Sequence, residues 1–293
     1  MALRSIADLN GPPDEITRRI NQAKQLSVLY DTYVNTTQDG HEREPGIHAS
    51  ELYPCLRQPV YSLTNTPRKP KVQKYWKQRF KMGTKIHDMV QEDFEQISKA
   101  TVQTEAFRIA TAMALQMNCR IEFQKEAKVR PELQAIAAYW KIYSACDGIF
   151  TFIDLDTNEV VLRVGLEIKS EAMDGFAALK GPKFEHMRQG HLYMGCYDLP
   201  LMWFFYMNKN NQNNTKSEAP YLVVFQPEIW QELEQRFTEI HTHAYNGTLP
   251  ERTETVICEF CAWNYVCEPK AEKIQAKQLV RNKNESLRPQ GKV

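Results

Sequence analysis

Glu159-Val-Val-Leu-Arg-Val-Gly-Leu-Glu167-Ile-Lys169 is β-branched and alternating, and it follows a turn-forming run, Asp154-Leu-Asp-Thr-Asn-Glu159. Upstream, Ala135 to Asp154 also reads as a strand, with aromatic and small residues alternating. Two strands about one turn make a hairpin. A turn centred near Asp156 and Thr157 requires opposed residues to have numbers summing to about 313 or 314, so Asp147 falls opposite Leu166 or Glu167. Directly opposed side chains on one face have Cβ atoms roughly 4.5 to 5.5 Å apart. Lys169 is two residues beyond Glu167, and the strand pleat places both on one face. The hairpin thus delivers Asp147, Glu167 and Lys169 to one spot.

Paired carboxylates repel unless a cation lies between them. A hard divalent ion such as Mg²⁺ is the usual partner, because it takes oxygen ligands and keeps waters for a phosphate substrate. A neighbouring lysine can position such a water or offset developing negative charge. The plainer reading is a surface strand with a charged outer face. Against it stands the apolar upstream half of the strand, which marks a central strand whose polar residues need a reason.

Outward from the hairpin, Lys183 to Tyr197 reads as a helix, Leu199 to Met207 and Tyr221 to Gln226 as strands, and Pro227 to Ala244 as a second helix. Towards the N-terminus, helical spacing covers 14–35 through Ile16, Ile20, Leu26, Val28, Leu29 and Val34, and 36–48 reads as a loop. Ser50 and Glu51 start a short helix that carries Cys55 and ends before Pro59. A longer helix runs from Lys74 to Ser98, with Phe80, Ile86, Val90, Phe94 and Ile97 as its apolar stripe. On it, His87 is by itself more often a neighbour's partner than a ligand.

The chain has 293 residues, 42% hydrophobic and 25% charged, which excludes disordered, collagenous and repeat-dominated classes. Its longest nearly unbroken apolar run, Leu199 to Met207, is about half of what a membrane span needs. Charge follows Met-Ala-Leu-Arg too soon for a secretory h-region, so a cytoplasmic protein of a prokaryotic or phage-infected cell is expected, with no membrane partner. Net charge is only +1, yet charge is unevenly spread. From Thr66 to Ile86 there are eight basic residues and no acidic one: Arg68, Lys69, Lys71, Lys74, Lys77, Arg79, Lys81 and Lys85, interleaved with Tyr75, Trp76 and Phe80. Cations can track phosphates while aromatic faces stack unpaired bases, so single-stranded DNA is the partner this run suits. A solvated basic helix is the plainer alternative. No Gly-x4-Gly-Lys-Ser/Thr loop occurs, so any helicase would be a separate protein.

Cys258-Glu-Phe-Cys261-Ala-Trp-Asn-Tyr-Val-Cys267 sets three thiols within ten residues, one short of a tetrahedral site. Cys55 is the best candidate for the fourth, and Cys119, Cys146 and Cys196 are dispersed. Four thiolates suit either Zn²⁺ or an iron–sulfur cluster. Gln189 and Tyr193, at i and i+4 on the helix 183–197, share a face with His186 one turn earlier. Taken alone that is an ordinary polar stripe.

In chain order these pieces are Cys55, Gly83-x3-His87, Asp147, Glu167-x-Lys169, Gln189-x3-Tyr193, and Cys258, Cys261, Cys267. This order resembles the RecB-like branch of the PD-(D/E)xK nuclease superfamily, and within it the iron–sulfur exonucleases of the CRISPR-associated and AddB type, over about Ala49 to Cys267. The resemblance implies an α/β restriction-endonuclease-like fold, a mixed central sheet flanked by helices, with an iron–sulfur cluster joining its N- and C-terminal parts. The domain would span 49–269, between a helical extension (1–48) and a basic polar tail (270–293). His87, Asp147 and Glu167 would hold Mg²⁺ or Mn²⁺, Lys169 would be the catalytic lysine, and Gln189 and Tyr193 would belong to the active site. Cys55, Cys258, Cys261 and Cys267 would bind a [4Fe–4S] cluster, with Zn²⁺ as the alternative. The activity implied is a metal-dependent DNA exonuclease on single-stranded ends, working with a helicase or with a recombination or CRISPR-type partner. One departure is Gln91, where relatives often carry a glutamate one turn after the histidine. A non-catalytic iron–sulfur DNA-binding or assembly subunit that keeps the nuclease fold is the competing reading, and a zinc protein of unrelated fold is a third.

Overall fold

The computed structural model describes residues 44–53, 55–69, 74–99, 118–211, 221–253, 258 and 261–267, without the side chains of 74–80, 97 and 99. The helix expected over 14–35 and the tail after Lys270 lie outside these residues. Two compact units are distinguished, Met1–Arg43 with Val72–Phe80, and Glu44–Lys71 with Lys81–Val293. The second carries the sheet. It begins earlier than the domain boundary expected at 48/49, because Ile47 is fully buried and forms a parallel bridge to Ile142.

A 3-10 turn (Ala49–Glu51) leads to α1 (Arg57–Leu63) and α2 (Lys74–Lys99). There follow β1 (Cys119–Val129), α3 (Ala135–Trp140), β2 (Ser144–Asp154) and β3 (Val160–Glu171). Then come α4 (Met173–Ala177), α5 (Phe184–Tyr197), β4 (Leu201–Asn208), β5 (Tyr221–Val224), α6 (Pro227–Asn246) and the single turn α7 (Asn264–Cys267). The strands form one sheet in the order β1-β2-β3-β4-β5, antiparallel except for the parallel pair β3–β4. It is a mixed sheet with helices against both faces.

The β2–β3 register sums to 314 from Gly148↔Leu166 to Phe152↔Leu162 and slips at the turn to Ile153↔Val160. Above Gly148 the two strands part, and Asp147 stands at the fork. Alternation then sorts β3 by face. Leu166 and Ile168 pack with Ile86, Val90, Phe205 and Met207, and α2 contributes Ile86, Val90 and Phe94 of the stripe read from the sequence, Phe80 and Ile97 lying outside the described side chains. Glu167 and Lys169 point the other way, towards α5. That helix lies close on the sheet because Gly190 faces Phe204, where a Cβ would come within 2.5 Å of the ring. Cys146 and Cys196 are buried apolar residues of this core.

Three readings are corrected. Ala135–Trp140 is helix rather than the start of a strand: alanine is the strongest helix former, and Lys141 ends the helix in the left-handed region at φ 53. Strand β1 was missed. It is an edge strand with a polar outer face, and its charged side chains hid the alternation of Ile121, Phe123, Ala127 and Val129. The helix after Cys55 starts at Arg57 and includes Pro59, since a proline in the first turn has no N–H that the helix needs.

Candidate active site

Asp147 is held from three directions. Its Oδ2 accepts the Ile168 N–H at 2.6 Å, across the fork where the ladder ends. Oδ1 lies 3.2 Å from His87 Nδ1 on α2. One turn further along that helix, Gln91 Nε2 donates to the Asp147 carbonyl at 2.7 Å. A glutamate there, which the resemblance would lead one to expect, is a carboxylate without the donor that this bond requires. The departure noted in the sequence is therefore a structural support of Asp147.

Glu167 and Lys169 make the buried half of the site. Lys169 Nζ lies 2.5 Å from Glu167 Oε1 and donates to Gln189 Oε1 at 3.0 Å. Burial pushes the Glu167 carboxyl up; the Lys169 charge opposes this, and Asp147 adds to it. For Lys169, burial lowers the ammonium's value, but Glu167 and Asp147 together outweigh burial and hold it above the ordinary lysine range. Lys169 accordingly keeps its proton. Glu167 Oε2 is buried without a hydrogen-bond partner among the described residues. An unpaired carboxylate oxygen in a site 1% exposed is costly unless a cation or water meets it.

Gln189 Nε2 continues the network to Tyr193 Oη at 3.0 Å, and Tyr193 meets Ser144 Oγ at 3.2 Å. Tyr193 is fully buried and orients Gln189. His186, the third member of the stripe, bonds Tyr206 Oη through Nδ1 at 2.6 Å. Burial, then the charges of Lys169 and Lys183, push its imidazole down to about 3.

On the α2 side the fork opens into a cavity of about 210 Å³ lined by Thr84, His87, Asp88, Gln91, Glu126 and Asp147. Glu126 was not foreseen. It is the one described non-glycine residue inside a strand with positive φ, 48°, and its flanking pairs Lys125↔Gly148 and Ala127↔Cys146 set it opposite Asp147. Such strain is what a carboxylate turned out of the strand pattern costs, and no sequence motif announced it.

Among the described residues no three His, Cys, Asp or Glu side chains converge as a metal-holding set. The carboxylates here face His87, Lys169 and the Ile168 amide instead. The donor chemistry nevertheless suits a hard divalent cation, because Glu167 carries a buried oxygen with no hydrogen-bond partner among the described residues.

The cysteine segment docks on α1. Trp263 Nε1 donates to the Thr66 carbonyl at 2.9 Å and Tyr265 Oη to that of Pro67 at 2.6 Å, while the Lys69 N–H donates to Ala262 at 2.8 Å. Arg57 reaches both the Pro250 carbonyl and Cys267 Sγ. Burial raises the Cys55 and Cys261 thiols, the backbone amides of Arg57, Gln58 and Trp263 oppose this, and the other cysteines of the set add to it. Two of the expected DNA-binding residues are engaged here as well. Arg68 pairs with Glu51 and lies over Trp263, and Lys69 lies over Tyr265. Lys81 and Lys85 are exposed on α2, and Lys71, Lys74, Tyr75, Trp76, Lys77 and Arg79 lie outside the described side chains.

No described helix is long and apolar enough to cross a membrane. No family model matches the chain, and no curated protein matches it. Solved structures do. The crystal structure of SSO0001 aligns with 87% of this chain and 97% of its own at 12% identity and a TM-score of 0.39. LHK-Exo in complex with dAMP aligns with 68% of this chain and 88% of its own, at 12% identity and 0.42. The alkaline exonuclease LHK-Exo from Laribacter hongkongensis gives 69% and 88%, at 11% and 0.41. At these values the likeness carries no argument about function.

Proposed function

We propose that this protein is a divalent-metal-dependent DNA exonuclease acting on single-stranded ends. The observation that carries this is the fork at the end of the β2–β3 ladder. There Asp147 stands beside a buried Glu167–Lys169 ion pair in which one carboxylate oxygen has no partner. Asp147 and Glu167, with His87, would hold Mg²⁺ or Mn²⁺. Such an ion lowers the pKa of water and offsets the charge that grows on a phosphate under attack.

The chain's own residues do the rest. Two of the three Lys169 ammonium protons are committed, to Glu167 and Gln189, which leaves the third to donate to a phosphate oxygen. Gln189 is itself held by Tyr193, so the ammonium is positioned before substrate arrives. The Ile168 amide and Gln91 keep Asp147 turned into the fork. A subunit that only bound DNA would have no use for a buried lysine supported this way.

We assign Cys55, Cys258, Cys261 and Cys267 to a structural [4Fe–4S] cluster, with Zn²⁺ as the alternative. Support comes from the Cys258-x2-Cys261-x5-Cys267 spacing and from the docking of that segment against Arg57, Thr66, Pro67 and Lys69, close in sequence to Cys55. Iron content and a brown colour in protein purified without air decide between the two. The test of the activity is incubation with end-labelled single- and double-stranded DNA, with and without Mn²⁺ or Mg²⁺. Metal-dependent shortening of the single strand from its end is expected, and intact DNA under every condition overturns the reading.

A further inference from the structure

Tyr206 is fully buried, and its hydroxyl has two partners among the described residues. The Lys183 backbone N–H lies 3.1 Å away and can only donate, so there the phenol oxygen accepts. The hydroxyl proton then needs an acceptor, and the one within reach is His186 Nδ1 at 2.6 Å. Were Nδ1 protonated instead, a buried O–H would go unpaired, which is costly away from water. Tyr206 therefore sets the tautomer, with Nδ1 bare and the proton on Nε2.

Nε2 is on the side of the ring away from Tyr206 and has no partner among the described residues. The side chain is partly exposed, so this N–H is open to a ligand. His186 precedes Gln189 by three positions on α5, on the stripe that holds Lys169. The charged groups around it are Lys169, Lys183 and, through Tyr206, Glu171 and Glu185. Glu171 is already paired with Lys183 at 2.6 Å. Burial, then the ammonium groups of Lys169 and Lys183, keeps the ring from taking a second proton, so the donor is the same at every working pH.

We infer that His186 donates its Nε2–H to a phosphate oxygen of the DNA strand beside the phosphate at Lys169. This rests on the nuclease reading and adds a substrate contact to it. His186 is thus a binding residue as well as a partner of Tyr206, and substitutions separate the two roles. Glutamine can accept the Tyr206 hydroxyl through Oε1 and donate through Nε2, whereas phenylalanine does neither.

The test places a single neutral methylphosphonate at successive positions of a labelled single strand and measures binding by anisotropy, with Ca²⁺ to suppress cleavage. In the wild type, replacement at one phosphate next to the cut should weaken binding. His186→Phe should bind the all-phosphate strand about tenfold more weakly and lose the penalty at that one position, while His186→Gln keeps both near wild type. Long-range ¹⁵N spectra of the histidines should show the Nε2–H tautomer of His186 in the wild type, which needs no variant to fold. An unchanged profile in His186→Phe, or a proton on Nδ1, overturns the inference while leaving metal-dependent cleavage by the wild type intact. Absence of any binding or cleavage by the wild type removes the nuclease reading and this contact together.

Discussion

The fork at Asp147 and the cysteine segment on α1 are both assembled from scattered residues, but by different means. Asp147 and Glu167 come from neighbouring strands of one hairpin, each one residue beyond the last ladder pair, Gly148↔Leu166. Arg57 and Cys267 are 210 positions apart and meet through side-chain contacts at the end of the described chain. Local pairing is cheap in loop entropy, whereas closing a long loop costs several kcal/mol. The hairpin site should therefore survive damage that the cysteine segment does not, and loss of either should leave a distinct signature.

The largest effect is expected at Cys55. If the thiols share a cluster, Cys55→Ser opens a loop of more than 200 residues and should lower stability by about 5 kcal/mol, with loss of iron. Denaturant melts and iron analysis check this, and any folded fraction should still cut DNA. Retention of full iron, with Cys119, Cys146 or Cys196 indispensable instead, would reverse the assignment of the two regions. Next come Asp147→Asn, Glu167→Gln and Lys169→Ala. Each should reduce cleavage by about 10³-fold, roughly 4 kcal/mol; Asp147→Asn should keep an unfolding midpoint near wild type, while Glu167→Gln and Lys169→Ala, which each leave one member of the buried pair alone, should lower it. Cleavage at wild-type rates by any one of them would break the claim that the hairpin is the reactive region.

The smallest effect separates the regions by pH. The His186 imidazole is pushed down to about 3 in the folded protein, against an ordinary value of 6.5. Folding then favours the neutral ring, so the stability it contributes is complete above pH 6.5 and is lost as pH falls towards 3. Between pH 6.5 and 4 this amounts to at most about 3 kcal/mol. Urea melts across that range should show the slope in the wild type and a flatter one in His186→Gln. Equal slopes would place the acid sensitivity elsewhere.

Legibility in the sequence followed contact range. The hairpin register, the α2 stripe of Ile86, Val90 and Phe94, and the pairing of Gln189 with Tyr193 each depend on residues a few positions apart on one element or across one turn. Their spacing is the periodicity of strand or helix. Strand β1 was lost because edge strands carry charge, which reads as loop. Gln91 is more instructive: as an identity it departed from the expected pattern, and only the 2.7 Å bond to the Asp147 carbonyl gives it a purpose.

By itself the sequence determined which residues could carry the chemistry. A turn at Asp154 to Glu159 with alternation on both sides leaves little freedom in which carboxylates face each other. Tertiary structure alone decided what surrounds them: the strained Glu126 opposite Asp147, the unpaired Glu167 oxygen, the His186 tautomer set by Tyr206, and the engagement of Arg68 and Lys69 with Trp263 and Tyr265. Each of these depends on burial and on partners from distant segments, and a hydrogen bond or a desolvated charge has its strength only once water has been excluded around it.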